Sequence, residues 1–148
     1  MRVLKSNVAM FFKAMEFYGL KEIPGEKDNP IILDWFKDIG FGYIRNDETA
    51  WCGAFINWVA LKCGCERSFK LDARSWLKIG KEVINPELGH LVIFWRESRN
   101  SWKGHIGLYV GKDENGNIFC LGGNQDNMLN IKLYNKEQLL GYRELRNV

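Results

Sequence analysis

Cys52 and His105 are the two residues whose types could together perform acyl-transfer chemistry. Cys52 lies in the run Glu48-Thr49-Ala50-Trp51-Cys52-Gly53-Ala54-Phe55, at the first turn of a predicted apolar helix. Backbone N–H groups at a helix N-terminus favour the thiolate, and a nearby imidazolium favours it further, so we expect a lowered pKa for Cys52. The pair predicts a cysteine hydrolase site. The alternative interpretation of Cys52 is a small buried hydrophobic residue.

His105 opens a predicted strand, and its neighbours suggest how it is presented. Alternation places His105, Gly107 and Tyr109 on one face of the strand, and Ile106, Leu108 and Val110 on the other. The second face is apolar, so we expect His105 to point away from the densest packing. The neighbouring glycines let the start of the Cys52 helix come close. His90, where a loop enters the preceding strand, is expected to be a solvated strand-edge residue.

A third polar residue is expected beside His105. The segment Asp113-Glu114-Asn115-Gly116-Asn117 contains the Asn-Gly signal for a hairpin, so the strands on its two sides should pair antiparallel. The end of the second strand then returns beside His105 and brings Asn124 near it. The Asn124 carbonyl could accept the Nδ1–H of His105 and turn Nε2 towards the sulfur. The alternative is that residues 122–127 form only a polar turn.

The elements that must position these residues fall into two groups along the chain. Helices are predicted first: one capped by Ser6, one from Asn29-Pro30 to Gly40, one capped by Thr49 that ends at Gly64, and a short one over residues 72–79. Strands follow Pro86, over residues 91–95, 105–110, 117–121, 128–133 and 140–143. Helices followed by strands indicate an α+β fold with an antiparallel sheet.

Length and composition narrow the class of protein. The chain of 148 residues is expected to form one domain over 1–148. Its net charge of +3 is spread among acidic residues, which argues against a nucleic-acid interface. The first apolar run is interrupted by Lys13, so neither a signal peptide nor a membrane span is predicted, and we expect the protein to be cytoplasmic at synthesis.

The cysteines are expected to be ordinary thiols, and no metal or cofactor is predicted. The four are Cys52, Cys63, Cys65 and Cys120. Without a secretory signal, and with a core of full size, disulfides are not needed. Cys63-Gly64-Cys65 lacks the second pair of ligands that a zinc site requires.

Several motifs, taken in order, resemble one family. They are the runs 51–59 (WCGAFINWV), 73–77 (ARSWL), 92–96 (VIFWR), 104–111 (GHIGLYVG) and 121–125 (LGGNQ). Together they resemble the CHAP/NlpC-type papain-like peptidoglycan hydrolases, especially small single-domain proteins of phage and bacteria. The resemblance covers about residues 14–143. One departure is Gly89-His90, where these proteins usually carry Gly-Asp; it leaves a second imidazole without an assigned role.

The resemblance implies a papain-like fold and a set of roles. Cys52 would be the nucleophile, His105 the base and then the acid, and Asn124 the residue that orients His105, with Gln125 and Asn127 as alternatives. The implied reaction is hydrolysis of an amide bond in the peptide of peptidoglycan through a thioester. A monomer that acts in the periplasm or cell wall after delivery or lysis is expected, with an immunity protein or a secretion or lysis machinery as candidate partners.

Candidate substrate-binding residues flank the nucleophile. Asp47 and Glu48 could bind an amine of the stem peptide, although acidic residues are also favoured near a helix start by the helix dipole. Trp51 could line a groove, as could Trp95 or Trp102, and core packing is the alternative for each. Gln125 completes this set.

Two other functions compete with wall hydrolysis. A papain-like acyltransferase, or an amidase on another substrate, would use the same residues, because a thioester can be transferred to an amine as well as to water. A binding module that keeps the fold without turnover is the third candidate. The presence of both Cys52 and His105 argues against it.

Overall fold

The computed structural model describes residues 4–23, 28–44 and 50–148. Within them three α-helices precede all six strands of one sheet, so the predicted α+β class is confirmed. The helices are α1 (Ser6–Met15), α2 (Pro30–Asp38) and α3 (Cys52–Lys62), with short 3-10 helices at Ala73–Lys78 and Lys136–Gln138. The strands are β1 (Lys81–Val83), β2 (Leu91–Trp95), β3 (Gly104–Lys112), β4 (Ile118–Gln125), β5 (Met128–Tyr134) and β6 (Leu139–Glu144).

The sheet runs in the order β1-β6-β2-β3-β4-β5, and every neighbouring pair is antiparallel. The predicted hairpin between β3 and β4 is confirmed. In its turn, Asp113 Oδ1 accepts hydrogen bonds of 2.9 Å from the backbone N–H groups of Asn115 and Asn117. Gly116 follows with φ +85°, a conformation that glycine adopts without strain. The hairpin joins the two strands that carry His105 and Gln125.

Apolar side chains lie on both faces of the sheet. The larger core joins the helices to one face, and α3 lies at its centre with every residue from Cys52 to Ala60 buried, as its apolar sequence predicts. On the opposite face a smaller cluster contains Val92, Phe94, Ile118, Cys120 and Tyr142. A sheet covered on both faces can bury polar groups as well as apolar ones, which matters for His105.

The helix starts agree only in part with their predictions. Asn29 caps α2 as expected: its Oδ1 accepts a 2.9 Å bond from the N–H of Ile31, with Pro30 in the first turn. The prediction that Ser6 caps α1 is wrong, because the N-cap is Lys5 and Ser6 Oγ donates to the Leu145 carbonyl at 2.6 Å. Thr49, the predicted cap of α3, lies outside the described residues. The predicted fourth helix is the 3-10 helix Ala73–Lys78, capped by Asp72.

Candidate active site

Cys52 is the first residue of α3 and is 6% exposed. The side chain of the N-cap residue, Trp51, makes no capping hydrogen bond, so the first N–H groups of the helix remain available. The backbone N–H groups of Ile106, Gly53 and Cys52 itself lie close enough to the thiol to favour its charged form. Ile106 directly follows His105 in β3, so the thiol lies against the strand that carries the imidazole.

Strand geometry explains why the N–H of Ile106 is free for the sulfur. The paired register of β3 and β4 begins at Leu108 and Leu121 and continues towards the hairpin turn. Tyr109 bonds on the β2 side, donating to the His90 carbonyl at 2.8 Å, so the even-numbered residues of this part of β3 face β4. Ile106 therefore points its N–H beyond the end of the paired ladder with β4, where the group is free to interact with the Cys52 thiol.

Burial dominates the titration of Cys52. Desolvation raises its pKa above the ordinary value of a thiol, although nearby backbone N–H groups and the positive charge of Arg96 oppose the shift. The expectation of a lowered pKa is therefore wrong for the free protein. Its thiol is neutral at pH 7, so the site needs a base to remove the proton at the moment of attack.

His105 is completely buried on the opposite face of the sheet from the helices. The side chains of β3 alternate between the two faces of the sheet as predicted, with Ile106 and Leu108 in the larger core. The His105 imidazole, on the other face, is covered as well. The His105 ring stacks on Tyr134 with centroids 5.2 Å apart, and Tyr134 stacks in turn on Phe94 at 4.5 Å. This burial lowers the pKa of His105 to about 4, so the ring is neutral at pH 7.

Gln125 holds His105 in one orientation and one tautomer. Its Nε2 donates to the carbonyls of Cys120 and Asn130 at 3.2 and 2.8 Å and to Asn130 Oδ1 at 2.9 Å. Its Oε1 therefore faces His105 Nε2 at 2.8 Å and also accepts from the Tyr134 hydroxyl at 3.2 Å. Because Oε1 only accepts, His105 carries its proton on Nε2. Nδ1 keeps its lone pair, is buried, and has no hydrogen-bond partner among the described residues.

The structure corrects the predicted third residue. Gln125, not Asn124, bonds His105, and the ring is reversed from the expectation, with Nε2 on the amide and Nδ1 free. The cause is local: the register between β4 and β5 shifts between Gly122 and Gln125, and a two-residue turn follows at Asp126 and Asn127, with φ of 54° and 63°. Asn127, the other alternative, is exposed, and its carbonyl accepts from the N–H of Glu22 at 2.9 Å.

Two glycines let β4 approach the site. A Cβ on Gly122 would lie 2.7 Å from Gln125 Oε1 and 3.2 Å from His105 Nε2. A Cβ on Gly123 would clash with the ring of Trp51. Gly122 and Gly123 are therefore needed for the close contact of β4 with the imidazole and with Trp51 before α3.

A cleft with a volume of about 300 Å³ gives access to Cys52. It is lined by Ala50, Cys52, Leu71, Asp72, Ala73, Arg96, Trp102, Lys103 and Gly104. One wall is tied to α3 by buried Asn57, which donates to the carbonyls of Gly53 and Lys70 at 3.0 and 2.8 Å. Gly53 is required here, because a Cβ would clash with the Leu71 carbonyl. The wall beside the nucleophile is thus held by backbone contacts.

Arg74 holds the opposite wall. Its guanidinium donates to the carbonyls of Lys103, Arg99 and Ser98 at 2.8, 2.7 and 2.9 Å, so it fixes the loop between β2 and β3. Trp102, at the end of this loop, is 73% exposed and lines the cleft. The cleft is therefore framed by two segments whose backbones are anchored.

The predicted substrate-binding residues have different surroundings. Trp51 is completely buried in the core, and its Nε1 donates to Glu22 at 2.6 Å, so it does not line the cleft. Gln125 is buried against His105 and has no access to substrate. Asp47 and Glu48 lie outside the described residues. Of the two other tryptophans, Trp95 donates to the Glu137 carbonyl at 3.1 Å, and only Trp102 lines the cleft.

Sequence analysis missed Arg96, Tyr134 and Asn57. Asn57 carried a usable signal, since a polar residue in an otherwise apolar helix must find partners inside the protein. Arg96 directly follows a strand and could have been placed at its end, but not in a cleft. Nothing local marks Tyr134, which reaches His105 only through the pairing of β4 with β5.

In the part of the chain that the structure describes, no three His, Cys, Asp or Glu side chains are grouped as a metal would require, and all four cysteines are free. No helix of that part is long and apolar enough to cross a membrane. Comparison with known proteins finds no matching family model and no matching curated protein. The function is therefore inferred from the geometry of the site together with the sequence motifs.

Proposed function

We propose that this protein is a papain-like cysteine hydrolase of the CHAP/NlpC type that cleaves an amide bond in the peptide of peptidoglycan. One observation carries the proposal: the Gln125 bond to His105 Nε2 at 2.8 Å leaves a buried lone pair on Nδ1, and the backbone of the next residue, Ile106, favours the charged form of the Cys52 thiol. His90 also has a buried ring nitrogen without a hydrogen-bond partner among the described residues, but that nitrogen, Nε2, carries the proton because Nδ1 accepts the Glu87 N–H at 2.9 Å. A general base must keep one nitrogen open.

The first half of the reaction forms a thioester. His105 Nδ1 takes the Cys52 proton while the sulfur attacks the carbonyl carbon of the scissile amide. The carbonyl π electrons move to oxygen, and the backbone N–H groups of Cys52 and Gly53 at the start of α3 stabilise the oxyanion. When the tetrahedral intermediate collapses, the C–N bond breaks and His105 returns its proton to the departing amine nitrogen.

The low pKa of His105, about 4, suits the acid step. An imidazolium in that environment is a strong acid, so the proton passes readily to an amine that would be a poor leaving group as an anion. Water then attacks the thioester with the neutral imidazole as base. The products are a carboxylic acid, the free amine and regenerated Cys52.

The wall substrate is supported by the ordered motifs, which extend over most of the chain. Those motifs also have physical roles here: Gly53 and Asn57 anchor one wall of the cleft, and Gly122 accommodates the His105–Gln125 contact. A catalytically silent binding module would have no need for an open nitrogen on His105.

The test is release of fragments from purified peptidoglycan by the wild type, Cys52→Ala and Cys63→Ala. We expect the wild type and Cys63→Ala to release the same fragments, identified by mass, and Cys52→Ala to release none. Cys63 is a matched control, because it is also a free thiol but lies at the other end of α3. Equal release by wild type and Cys52→Ala would exclude Cys52 from the mechanism.

An added amine separates hydrolase from acyltransferase. If the thioester is transferred to water, the mass of the new acyl product is that of the acid with or without a small primary amine in solution. A predominant amide product at low amine concentration would instead identify an acyltransferase.

A further inference from the structure

Arg96 is a cation that lines the cleft beside the candidate nucleophile. It directly follows β2, is exposed, and lines the cleft together with Cys52. Its positive charge lowers the pKa of both Cys52 and His105, which shows that the guanidinium lies within electrostatic reach of both groups. Among the described residues it has neither a hydrogen-bond nor an ion-pair partner for its side chain.

The other charged groups of the cleft are already engaged. Lys103 Nζ forms an ion pair with Glu97 at 2.7 Å. Asp72 Oδ2 accepts the N–H of Ser75 at 2.9 Å as the cap of the 3-10 helix. Among the described residues of the cleft lining, Arg96 is therefore the charged one that can offer all the N–H donors of its side chain to a ligand.

The backbone beneath Arg96 is fixed before any ligand arrives. Its N–H donates to the Lys103 carbonyl at 3.2 Å, and Arg74 holds the three carbonyls of the same loop. A guanidinium on an anchored backbone loses less freedom on binding than one on a mobile loop, and its planar fork matches a carboxylate with two parallel hydrogen bonds.

We propose that Arg96 binds a carboxylate of the substrate that lies next to the scissile amide. This inference rests on the proposed function and specifies its substrate: a peptide with a free carboxylate at that position, in preference to the same peptide with a carboxamide there. A carboxamide keeps the shape of the group but carries no charge, so it forms a weaker pair with the guanidinium.

An alternative role for Arg96 is stabilisation of the oxyanion. That role would help every substrate equally, because the oxyanion forms from the scissile carbonyl whatever groups surround it. The two roles therefore differ in one measurable ratio, the preference for carboxylate over carboxamide.

The experiment compares two stem peptides that differ only in that group, cleaved by wild type, Arg96→Gln and Arg99→Gln. For the wild type we expect kcat/KM to be about tenfold or more higher for the carboxylate form, since each factor of ten is one modest charge-assisted interaction. In Arg96→Gln the ratio should fall to near one. Arg99→Gln is the matched control, because it removes an exposed arginine of the same loop that does not line the cleft.

The outcomes separate the two proposals. Cleavage of both peptides at equal rates by the wild type, or an equal loss on both peptides in Arg96→Gln, overturns the role of Arg96 and leaves the hydrolase intact. Absence of Cys52-dependent cleavage of either peptide overturns both. Calorimetric titration of Cys52→Ala with the two peptides checks the preference without turnover: tighter binding of the carboxylate form that Arg96→Gln abolishes supports the proposal, and equal binding contradicts it.

Discussion

The two histidines of this protein are both buried, yet the structure prepares them for opposite tasks. His105 is 0% and His90 4% exposed, and burial lowers the pKa of each. His90 was expected to be solvated, and that prediction is wrong. Neither burial nor the direction of the pKa shift distinguishes them, so the difference must lie in which ring nitrogen is occupied.

His90 uses its lone pair in a turn. Its Nδ1 accepts the backbone N–H of Glu87 at 2.9 Å, so the ring proton is on Nε2, 4.0 Å from the Glu144 carboxylate. His105 instead uses its N–H on Gln125 and keeps the lone pair on Nδ1. Each ring thus keeps one buried nitrogen without a hydrogen-bond partner among the described residues: in His90 it is the protonated Nε2, and in His105 it is the lone pair on Nδ1. The comparison shows that the neighbour of the first nitrogen decides what the second can do.

Removing each imidazole in turn gives the largest expected effect. His105→Asn should lower kcat/KM for amide cleavage by about 10³-fold, because general-base catalysis typically contributes 10²- to 10⁴-fold. His90→Asn should stay within about threefold of wild type, since its ring touches neither the thiol nor the cleft. Steady-state rates on one stem peptide, with circular dichroism to verify folding, make the test. Similar losses in both variants would remove the distinction between the two rings.

The decrease in the free energy of unfolding below neutral pH tests the burial of His105. The pKa of His105 is about 4 when folded and about 6.5 when unfolded, so the unfolded chain binds the extra proton between these values. The contribution of neutral His105 to the free energy of unfolding is therefore complete above pH 6.5 and is lost as the pH falls to about 4. The loss corresponds to about 3 kcal/mol in the free energy of unfolding.

Urea denaturation of wild type and His105→Gln from pH 7 to pH 4 measures the contribution of His105 to the free energy of unfolding. The carboxylates titrate in both proteins and cancel in the difference. The free energy of unfolding of the wild type, relative to that of the variant, should fall by up to about 3 kcal/mol between pH 7 and pH 4. A gap that is independent of pH would show that His105 is not held neutral by burial.

The Gln125 contact should have a smaller effect on rate. Gln125→Leu removes the acceptor of the Nε2 proton, so both tautomers become populated and kcat should fall about 10- to 100-fold, the cost of a misplaced catalytic group. The ¹⁵N chemical shifts of the His105 ring should show Nε2 protonated in wild type and a mixture in the variant. A variant with full activity and an unchanged tautomer would contradict the positioning role.

Asn124→Gly is the matched control for Gln125. It removes the amide that sequence analysis placed beside His105, and glycine tolerates the φ of 59° observed at this position. Activity within about threefold of wild type is expected. A larger loss than in Gln125→Leu would restore Asn124 as the orienting residue.

The local sequence predicts the elements that carry the site but not the amide that contacts His105. The helix that starts at Cys52, the strand that carries His105 and the hairpin beyond it follow from the apolar pattern and the turn residues, and the structure has all three elements. The identity of the amide does not follow, because a register shift between Gly122 and Gln125 exchanges neighbouring residues at the imidazole. A one-residue shift in a strand reverses which side chains face a given direction.

The remaining errors concern burial, which depends on the whole fold. The pKa of Cys52 was expected to fall because of the helix end, but desolvation by the packed sheet is the larger effect. Arg96 escaped notice for a similar reason: the cleft forms only when the 3-10 helix and the β2–β3 loop are both in place. Local patterns predict elements, whereas titration and clefts depend on contacts between distant segments.

The smallest expected effect concerns the carboxylate beside His90. Glu144 raises the pKa of His90 against the larger lowering by burial, so Glu144→Gln should lower that pKa further. NMR titration of the two histidines should show the His90 midpoint move to lower pH while the His105 midpoint and the rate of cleavage stay at wild-type values. Glu144 is partly exposed, so solvent screens the interaction and the shift should be modest. A parallel shift at His105, or a changed rate, would mean that the two imidazoles are coupled through β2 and that their separate roles cannot be assigned from their hydrogen bonds.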